Sequence, residues 1–375
     1  MQDSVFHKLS NLLWGVMVMA IVVLAIYVSL GRLVSTNLAS FQEEVLAELN
    51  QRVPFHIAAR QLSGEWRSFT PELVLSGLTL TAPGQQGDAL ELSGGRVGLD
   101  VLHSLLSRSL QITSLRLEDL ALNGELTDEG KLVLPGITGD GGEVGAWLRE
   151  FLLNIENVTL SNNALSLALP GGELRKFDLN LQMRRAGSTR HLSAQLLSAR
   201  GTRIELTGRG LGNPFKPENF SGDLYLKLHS GDLGAVRDTL PSPPAIWAEG
   251  NLETEWWLSW EQGEPELDFS ITASELLLKP QQGDWSIPLD ALSLQASLVD
   301  RKNHWTLFVS DLVARHGDAE AHLPRMQLDA WGESLRVRSA DVALAPLNAL
   351  ALELGVMSET LASVFETLQP SGSLS

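Results

Sequence analysis

The sequence predicts a mainly β protein: an N-terminal transmembrane helix, then an elongated, curled antiparallel β-sheet groove of repeating units with a few short capping helices. Three observations carry this. An uncharged run of 19 residues, Leu12 to Leu30, lies near the N-terminus. From Ile57 onward the apolar period changes from 3.6 to 2 and stays there to about Ala343. The helical stretches inside that region are too few and too short to roof so many strands.

Composition bounds the rest. The chain has 375 residues, 44% hydrophobic and 19% charged, which is ample to bury a core. Its 28 Lys and Arg against 45 Asp and Glu give a net charge of -17, so a nucleic-acid backbone would be repelled and is excluded as a partner. There is no cysteine. That removes disulfides, thiolate zinc sites, iron-sulfur clusters and cysteine nucleophiles, and is compatible with either redox compartment.

The first element is the membrane anchor, residues 1–35. Leu12, Leu13, Trp14, Val16, Val18, Ile21, Val22, Val23, Leu24, Ile26, Tyr27 and Leu30 supply its apolar surface, bracketed by Lys8 and Arg32. At 1.5 Å per residue this helix nearly spans a hydrocarbon core of about 30 Å, and Trp14 and Tyr27 sit where amphipathic rings favour the headgroups. A cleaved signal peptide is the competing reading. Its apolar run is normally shorter, and no A-x-A site follows here. Charge places the N-terminus in the cytoplasm by a narrow margin, with Lys8 and the α-amine on one side and Arg32 on the other.

An amphipathic connecting helix follows over residues 36–54. Leu38, Phe41, Val45 and Leu49 recur at helical spacing, Ser40 and Glu43 form a capping box, and Pro54 closes the segment. It either lies on the headgroups or, the favoured reading, plugs the open end of the β-structure that begins next, which would otherwise expose apolar side chains.

The β body occupies residues 55–343. Its every-other-residue apolar rows are Leu115 and Leu117; Leu165, Leu167 and Leu169; Phe177, Leu179 and Leu181; Leu224, Leu226 and Leu228; Leu267, Phe269 and Ile271; Leu292 and Leu294; and Trp305, Leu307 and Val309. Polar residues alternate with them, as Asp178, Asn180 and Gln182 do, so each run has one apolar and one wetted face. Turn signals at Gly171-Gly172, Asp128-Glu129-Gly130 and Asn162-Asn163 separate neighbouring strands. Helices are expected over Val144 to Asn154 and Asp232 to Leu240, the latter stopped by Pro241. Residues 344–375 carry a longer helix, Pro346 to Leu368, on which Leu361, Val364, Phe365 and Leu368 share a face, and the start of a further, truncated β unit after Pro370 and Gly372. A sheet this large closes into a barrel, folds into a sandwich or curls into an open trough, and repetition favours the trough.

No catalytic or cofactor motif is present: neither G-x-S-x-G, nor a G-x-x-x-x-G-K-[ST] loop, nor H-E-x-x-H. Gly208, Gly210 and Gly212 in GRGLGN are read as a turn. His316, Asp318, Glu320 and His322 alternate as if on one strand face, where adjacent members could share a metal, although a solvated face explains the row equally well. Trp256, Trp257 and Trp260 invite base or sugar stacking. The surrounding Glu253, Glu255, Glu261, Glu264 and Glu266 disfavour nucleic acid, and Trp256, Leu258 and Trp260 on one face read as core or groove lining.

The stretches from Arg52 to Leu80, RVPFHIAARQLSGEWRSFTPELVLSGLTL, and from Leu102 to Ile137 resemble the AsmA-like family, closest to its YhdP branch. Trp147 to Leu153 with the ENVTLSNNALSLALP run, Gly250 to Gly263, and Phe365 to Ser375 extend the resemblance over essentially the whole chain, on loose patterns rather than an invariant signature. The resemblance implies a bacterial inner-membrane anchor, a periplasmic body of repeating β-groove units, and movement of phospholipid toward the outer membrane. The apolar rows named above would then line the groove and meet phospholipid acyl chains. Such proteins are usually far longer, so an N-terminal portion is expected. Two other classes stay open: an anchored scaffold that helps outer-membrane proteins or envelope machinery assemble, and an envelope enzyme using the His316 to His322 row.

Overall fold

A computed structural model describes residues 14, 16–19, 21–22, 25, 28–29, 42–52, 56–67, 70–81, 89–100, 104, 111–127, 132–133, 143–169, 174–233, 246–261, 263–280, 286–301, 304–331, 334–340, 342–355, 363–364, 367 and 373–374. The chain divides into two compact units: Met1–Ala121 with Gly136–Ser161, and Leu122–Pro135 with Asn162–Ser375.

In the first unit the described residues between Trp14 and Ser29 are helical. Trp14, Val16, Val18, Ile21 and Val22 are exposed on it, while Leu12, Leu13, Val23, Leu24, Ile26, Tyr27 and Leu30 lie outside the described residues. Among the described residues no helix is long and apolar enough to cross a membrane. Helix α1 (Gln42–Arg52) comes next, then strands β1 (His56–Arg67), β2 (Thr70–Thr81) and β3 (Ala89–Leu99) and the first part of β4 (Ile112–Leu126). All pair antiparallel in chain order. Leu62, Leu73, Leu75 and Leu78 form a closed core. Helix α1 lies along β1, and its amides engage the strand's edge. Asn50 Nδ2 donates to the Ile57 carbonyl (3.0 Å) and its Oδ1 accepts from the Ile57 N–H (2.6 Å). Gln42 Nε2 donates to the Ala59 carbonyl and its Oε1 accepts from the Leu62 N–H. These bonds satisfy backbone groups that the end strand would otherwise present bare. Of the residues that predicted the helix, Val45 is half-buried and Leu49 buried, while Leu38, Ser40, Phe41 and Pro54 lie outside the described residues. Helix α2 (Glu143–Asn154) and the first part of β6 (Asn157–Ala168) complete the unit, α2 matching the expected Val144 to Asn154.

The second unit begins with the end of β4, to which the short β5 (Leu132–Val133) pairs, and the end of β6. It continues through β7 (Leu174–Ala186), β8 (Thr189–Ser198), β9 (Arg203–Gly212), β10 (Phe220–Ser230), β11 (Ile246–Glu261), β12 (Glu264–Pro280), β13 (Ile287–Arg301), β14 (His304–His316), β15 (Ala319–Trp331) and β16 (Ser334–Ser339). Among the described residues hydrogen-bonded order follows chain order, β5 alone lies off the path, and the first and last strands of that order do not pair with each other. A two-stranded ladder, β17 (Val342–Ala343) with β18 (Ser373–Leu374), and helix α3 (Leu344–Glu353) follow.

Several expectations are corrected. Asn162-Asn163 is not a turn: both residues lie inside β6, where Asn162 adopts φ +56° and hydrogen-bonds to Asn180. Asparagine tolerates the left-handed region, so the same residue that starts turns can kink a continuous strand. Gly208 and Gly210 are strand residues of β9. A Cβ on Gly208 would approach Leu224 to 2.9 Å, and one on Gly210 would approach the Phe220 ring to 2.6 Å, so the absent side chains make room for neighbours from β10. The long C-terminal helix ends early. At Gly355 the backbone turns left-handed (φ +62°) and its N–H bonds to the Leu352 carbonyl, a glycine stop after α3. Ser363, Val364 and Thr367 are again helical. Gly171-Gly172, Asp128-Glu129-Gly130 and Asp232 to Leu240 beyond Leu233 fall outside the described residues.

Candidate functional site

Directly opposed residues of antiparallel strands share a face, so register defines what each face of the second unit carries. One line reads Leu181, Ala194, Leu206, Leu226, Trp256, Phe269, Ala296, Val309 and Met326 across β7 to β15. Beside it run Leu179, Leu196, Ile204, Leu228, Thr254, Ile271, Leu294, Leu312 and Leu323. On the other flank are Met183, Leu192, Gly208, Leu224, Leu258, Leu267, Leu298, Leu307 and Leu328. The Trp256 and Phe269 rings stack at 5.3 Å in the middle. Thr254 is the polar intruder, and its hydroxyl donates to the Ser270 carbonyl at 2.7 Å, leaving the surface apolar in effect.

This face is only partly covered. Of its predicted members Leu165, Leu179 and Val309 are buried, Trp305 is exposed, and Leu167, Phe177, Leu181, Leu224, Leu226, Leu228, Leu267, Phe269, Ile271, Leu292, Leu294 and Leu307 are half-buried. Leu115 and Leu117, in the first unit, are half-buried too. A true core forms where Ala273, Leu276 and Leu289 meet Leu233 and Leu354, close to α3. Helix α3 packs on β14 and β15 and buries Leu350.

The opposite face is wet and ionic. Lys227 lies between Glu253 and Glu255, and those hydrogen bonds hold its ammonium well above the usual lysine range and Glu253 below the usual carboxylate range. Arg209 pairs with Asp223 at 2.7 Å, Ser297 bonds Asp268, and Tyr225 leans on Trp257 at 5.5 Å. Asp329, buried, accepts from Thr306 at 2.9 Å and from Gln327 at 2.9 and 3.0 Å; those bonds, Gln327 foremost, depress its pKa.

The tryptophan expectation divides as register requires. Trp256, Leu258 and Trp260 share the apolar face, while Trp257 projects from the wet one. The histidine row breaks. Gly317 and Asp318 are a two-residue hairpin turn, so His316 ends β14 on the apolar side opposite Ala319, whereas Glu320 and His322 oppose Arg315 and Val313 on the other. Each histidine instead faces its own carboxylate: His316 lies 3.6 Å from Asp290, and His322 bonds Asp311. Among the described residues no group of three or more His, Cys, Asp or Glu could hold a metal.

Ile204, Leu206, Leu298 and Leu312 belong to the same face but escaped the sequence reading. Ile204 and Leu206 do alternate, and the turn reading of GRGLGN hid them. Leu312 was masked by the register shift between β13 and β14, which changes which residues face the apolar side after Val309.

A family model described as YhdP protein matches residues 1–375. The chain belongs to the YhdP family. Consistent with this YhdP-family assignment, it is 22% identical over 382 aligned residues to the intermembrane phospholipid transporter YhdP of Escherichia coli strain K12, an alignment covering 94% of this chain. The chain spans 28% of that relative's length. No solved structure matches this YhdP-family chain.

Proposed function

We propose that this chain is part of an inner-membrane-anchored periplasmic conduit that carries phospholipid between the inner and outer membranes and supports outer-membrane homeostasis. The observation that carries the reading is the half-buried apolar face of β7 to β14, a single layer with a partial roof. A phospholipid has about 30 chain methylenes, and exposing each to water costs about 0.8 kcal/mol, on the order of 24 kcal/mol in all. At that barrier transfer proceeds at about 10⁻⁵ per second. An apolar face that receives the chains while the headgroup stays wet removes most of the barrier without bond chemistry, in keeping with a protein that is not an enzyme. The apolar run from Leu12 to Leu30 supports single-pass anchoring, with the β units in the periplasm.

Photo-crosslinking amino acids at Leu179, Leu226 and Phe269 are expected to capture phospholipid in living cells, and the same probe at Lys227 is not. Absence of lipid adducts at all three apolar positions, or equal capture at Lys227, would overturn the proposal.

A further inference from the structure

The wet face of β6 to β8 carries a polar concavity of about 310 Å³, lined by Asn162, Asp178, Asn180, Gln195 and Leu197, all within the second unit. Register sets four of its corners. Asp178 faces Leu197, and Asn180 faces Gln195, across β7 and β8. Such corners lie about 5 Å apart between strands and about 7 Å apart along them, the dimensions of one sugar ring with its hydroxyls. The remaining member comes from the kink in β6. There Asn162 adopts φ +56°, and its N–H goes to Asn180 Oδ1 at 3.0 Å. Non-glycine residues held in that region inside a continuous element cluster at ligand-binding positions. The groups presented are of opposite kinds. Asn180 commits its oxygen to Asn162 and turns its Nδ2 to the concavity as a donor, whereas Gln195 Nε2 leans on Glu205 at 3.4 Å and leaves its Oε1 as an acceptor. Asp178 is exposed, and neither its carboxylate nor the Asn162 amide has a partner among the described residues. Leu197, exposed on a face otherwise polar at this point, adds a small apolar patch.

We propose that this concavity binds one ring of a neutral oligosaccharide. Hydroxyl groups both donate and accept hydrogen bonds, and the site presents both complements side by side: the Asn180 N–H groups as donors, the Asp178 carboxylate and Gln195 Oε1 as acceptors, and the Asn162 amide as either. Other ligand chemistries match only half of the set. A phosphate would meet the Asp178 charge, and a metal ion or an ammonium group would meet the amide hydrogens of Asn180. Leu197 gives the C–H face of the ring an apolar contact, as binding sites that orient a ligand with a few polar groups commonly do. The concavity is shallow, its lining residues all being exposed, so a ring seated in it keeps both glycosidic neighbours outside. Leu179, Leu181, Ala194 and Leu196 alternate with its members and point to the opposite face. The site therefore stands independently of the conduit reading, and acyl chains on the leucine rows do not compete for it.

The test uses the purified full chain in a detergent without a sugar headgroup, with saturation-transfer NMR reading contact to maltotriose and to chitotriose, both neutral trisaccharides. At least one is expected to give a signal, which Asp178→Ala lowers about tenfold and Gln195→Ala about threefold, the losses of a charged and of a neutral hydrogen bond. Thermal melts are expected to stay unchanged, since both side chains are exposed. If Asp178→Ala folds poorly, Leu197→Ser takes its place, with about a threefold loss expected. Absence of signal from both trisaccharides, or equal signal from wild type and the folded variants, overturns the proposal and leaves the conduit reading untouched. Glucose is expected to give less signal than the trisaccharide that binds; an equal signal makes the site one for a free monosaccharide and removes the oligosaccharide. Calcium is the last arm: if it binds at millimolar concentration with the same dependence on Asp178 and abolishes the sugar signal, the concavity is a cation site and the sugar assignment falls.

Discussion

Gly250 adopts φ +128° at the register shift between β11 and β12, and a Cβ there would lie 2.5 Å from the Glu275 carbonyl oxygen. Neither that backbone conformation nor that contact admits a side chain. Gly250→Ala is therefore expected to destabilise the second unit by about 1–3 kcal/mol, read from its urea midpoint. Asp329 makes a prediction of a different kind. Hydrogen bonds from Gln327 and Thr306, with Arg338 at 3.5 Å, stabilise its charged form, so its folded pKa lies below that of the unfolded chain. The resulting stability is complete above the unfolded value of about 3.9 and is lost as pH falls through the folded value. Thermal melts of wild type and Asp329→Asn are expected to differ most at pH 7 and to converge toward pH 3, and a gap independent of pH would remove the charge from the explanation. Neither residue stood out in the sequence. Gly250 is one of 33 glycines, and the partners of Asp329 on β14 and β16 are brought to it only by strand pairing.

Strands and helices divide the work of covering apolar surface unevenly. Helix α1 seals the edge of β1 with two amide side chains, and α3 closes part of the face at β14 and β15 through Leu350. Leu350→Ala is expected to cost about 2–5 kcal/mol, seen as faster hydrogen exchange along β14 and β15 with β8 and β9 unaffected. Both helices were legible from local signals, apolar residues at helical spacing for α1 and a run opening at Pro346 for α3. The stop at Gly355 was not, because Leu361, Val364, Phe365 and Leu368 continue the pattern past it. Strand existence followed from period-2 alternation at nearly every position. Asn162 and the GRGLGN glycines failed because turn-forming residue types also serve inside strands, as a kink in one case and as space for Leu224 and Phe220 in the other.

Most side chains on the apolar rows of β7 to β14 are only partly buried, where an ordinary core would withhold nearly all of each from water. In the proposed conduit a lipid chain would supply the layer that a second sheet or more helices supply in a sandwich. Cross-linkers at Leu179, Leu226 and Phe269 probe this property directly, because a face packed by protein would react with protein. The sequence by itself determined the β character, the alternation of apolar and wet faces, the acidic charge that disfavours nucleic acid, and the resemblance to the family that the comparisons established. These are properties of composition and of neighbours along the chain. Tertiary structure alone decided that His316 and His322 point apart across a hairpin, that register shifts return Leu312 to the apolar side, and that Gln195 and Leu197 face Asn180 and Asp178 around one concavity. The physical reason is that side-chain direction alternates with every residue, so one bulge or one two-residue turn reverses the face of everything after it, and pairing across strands fixes where those reversals fall.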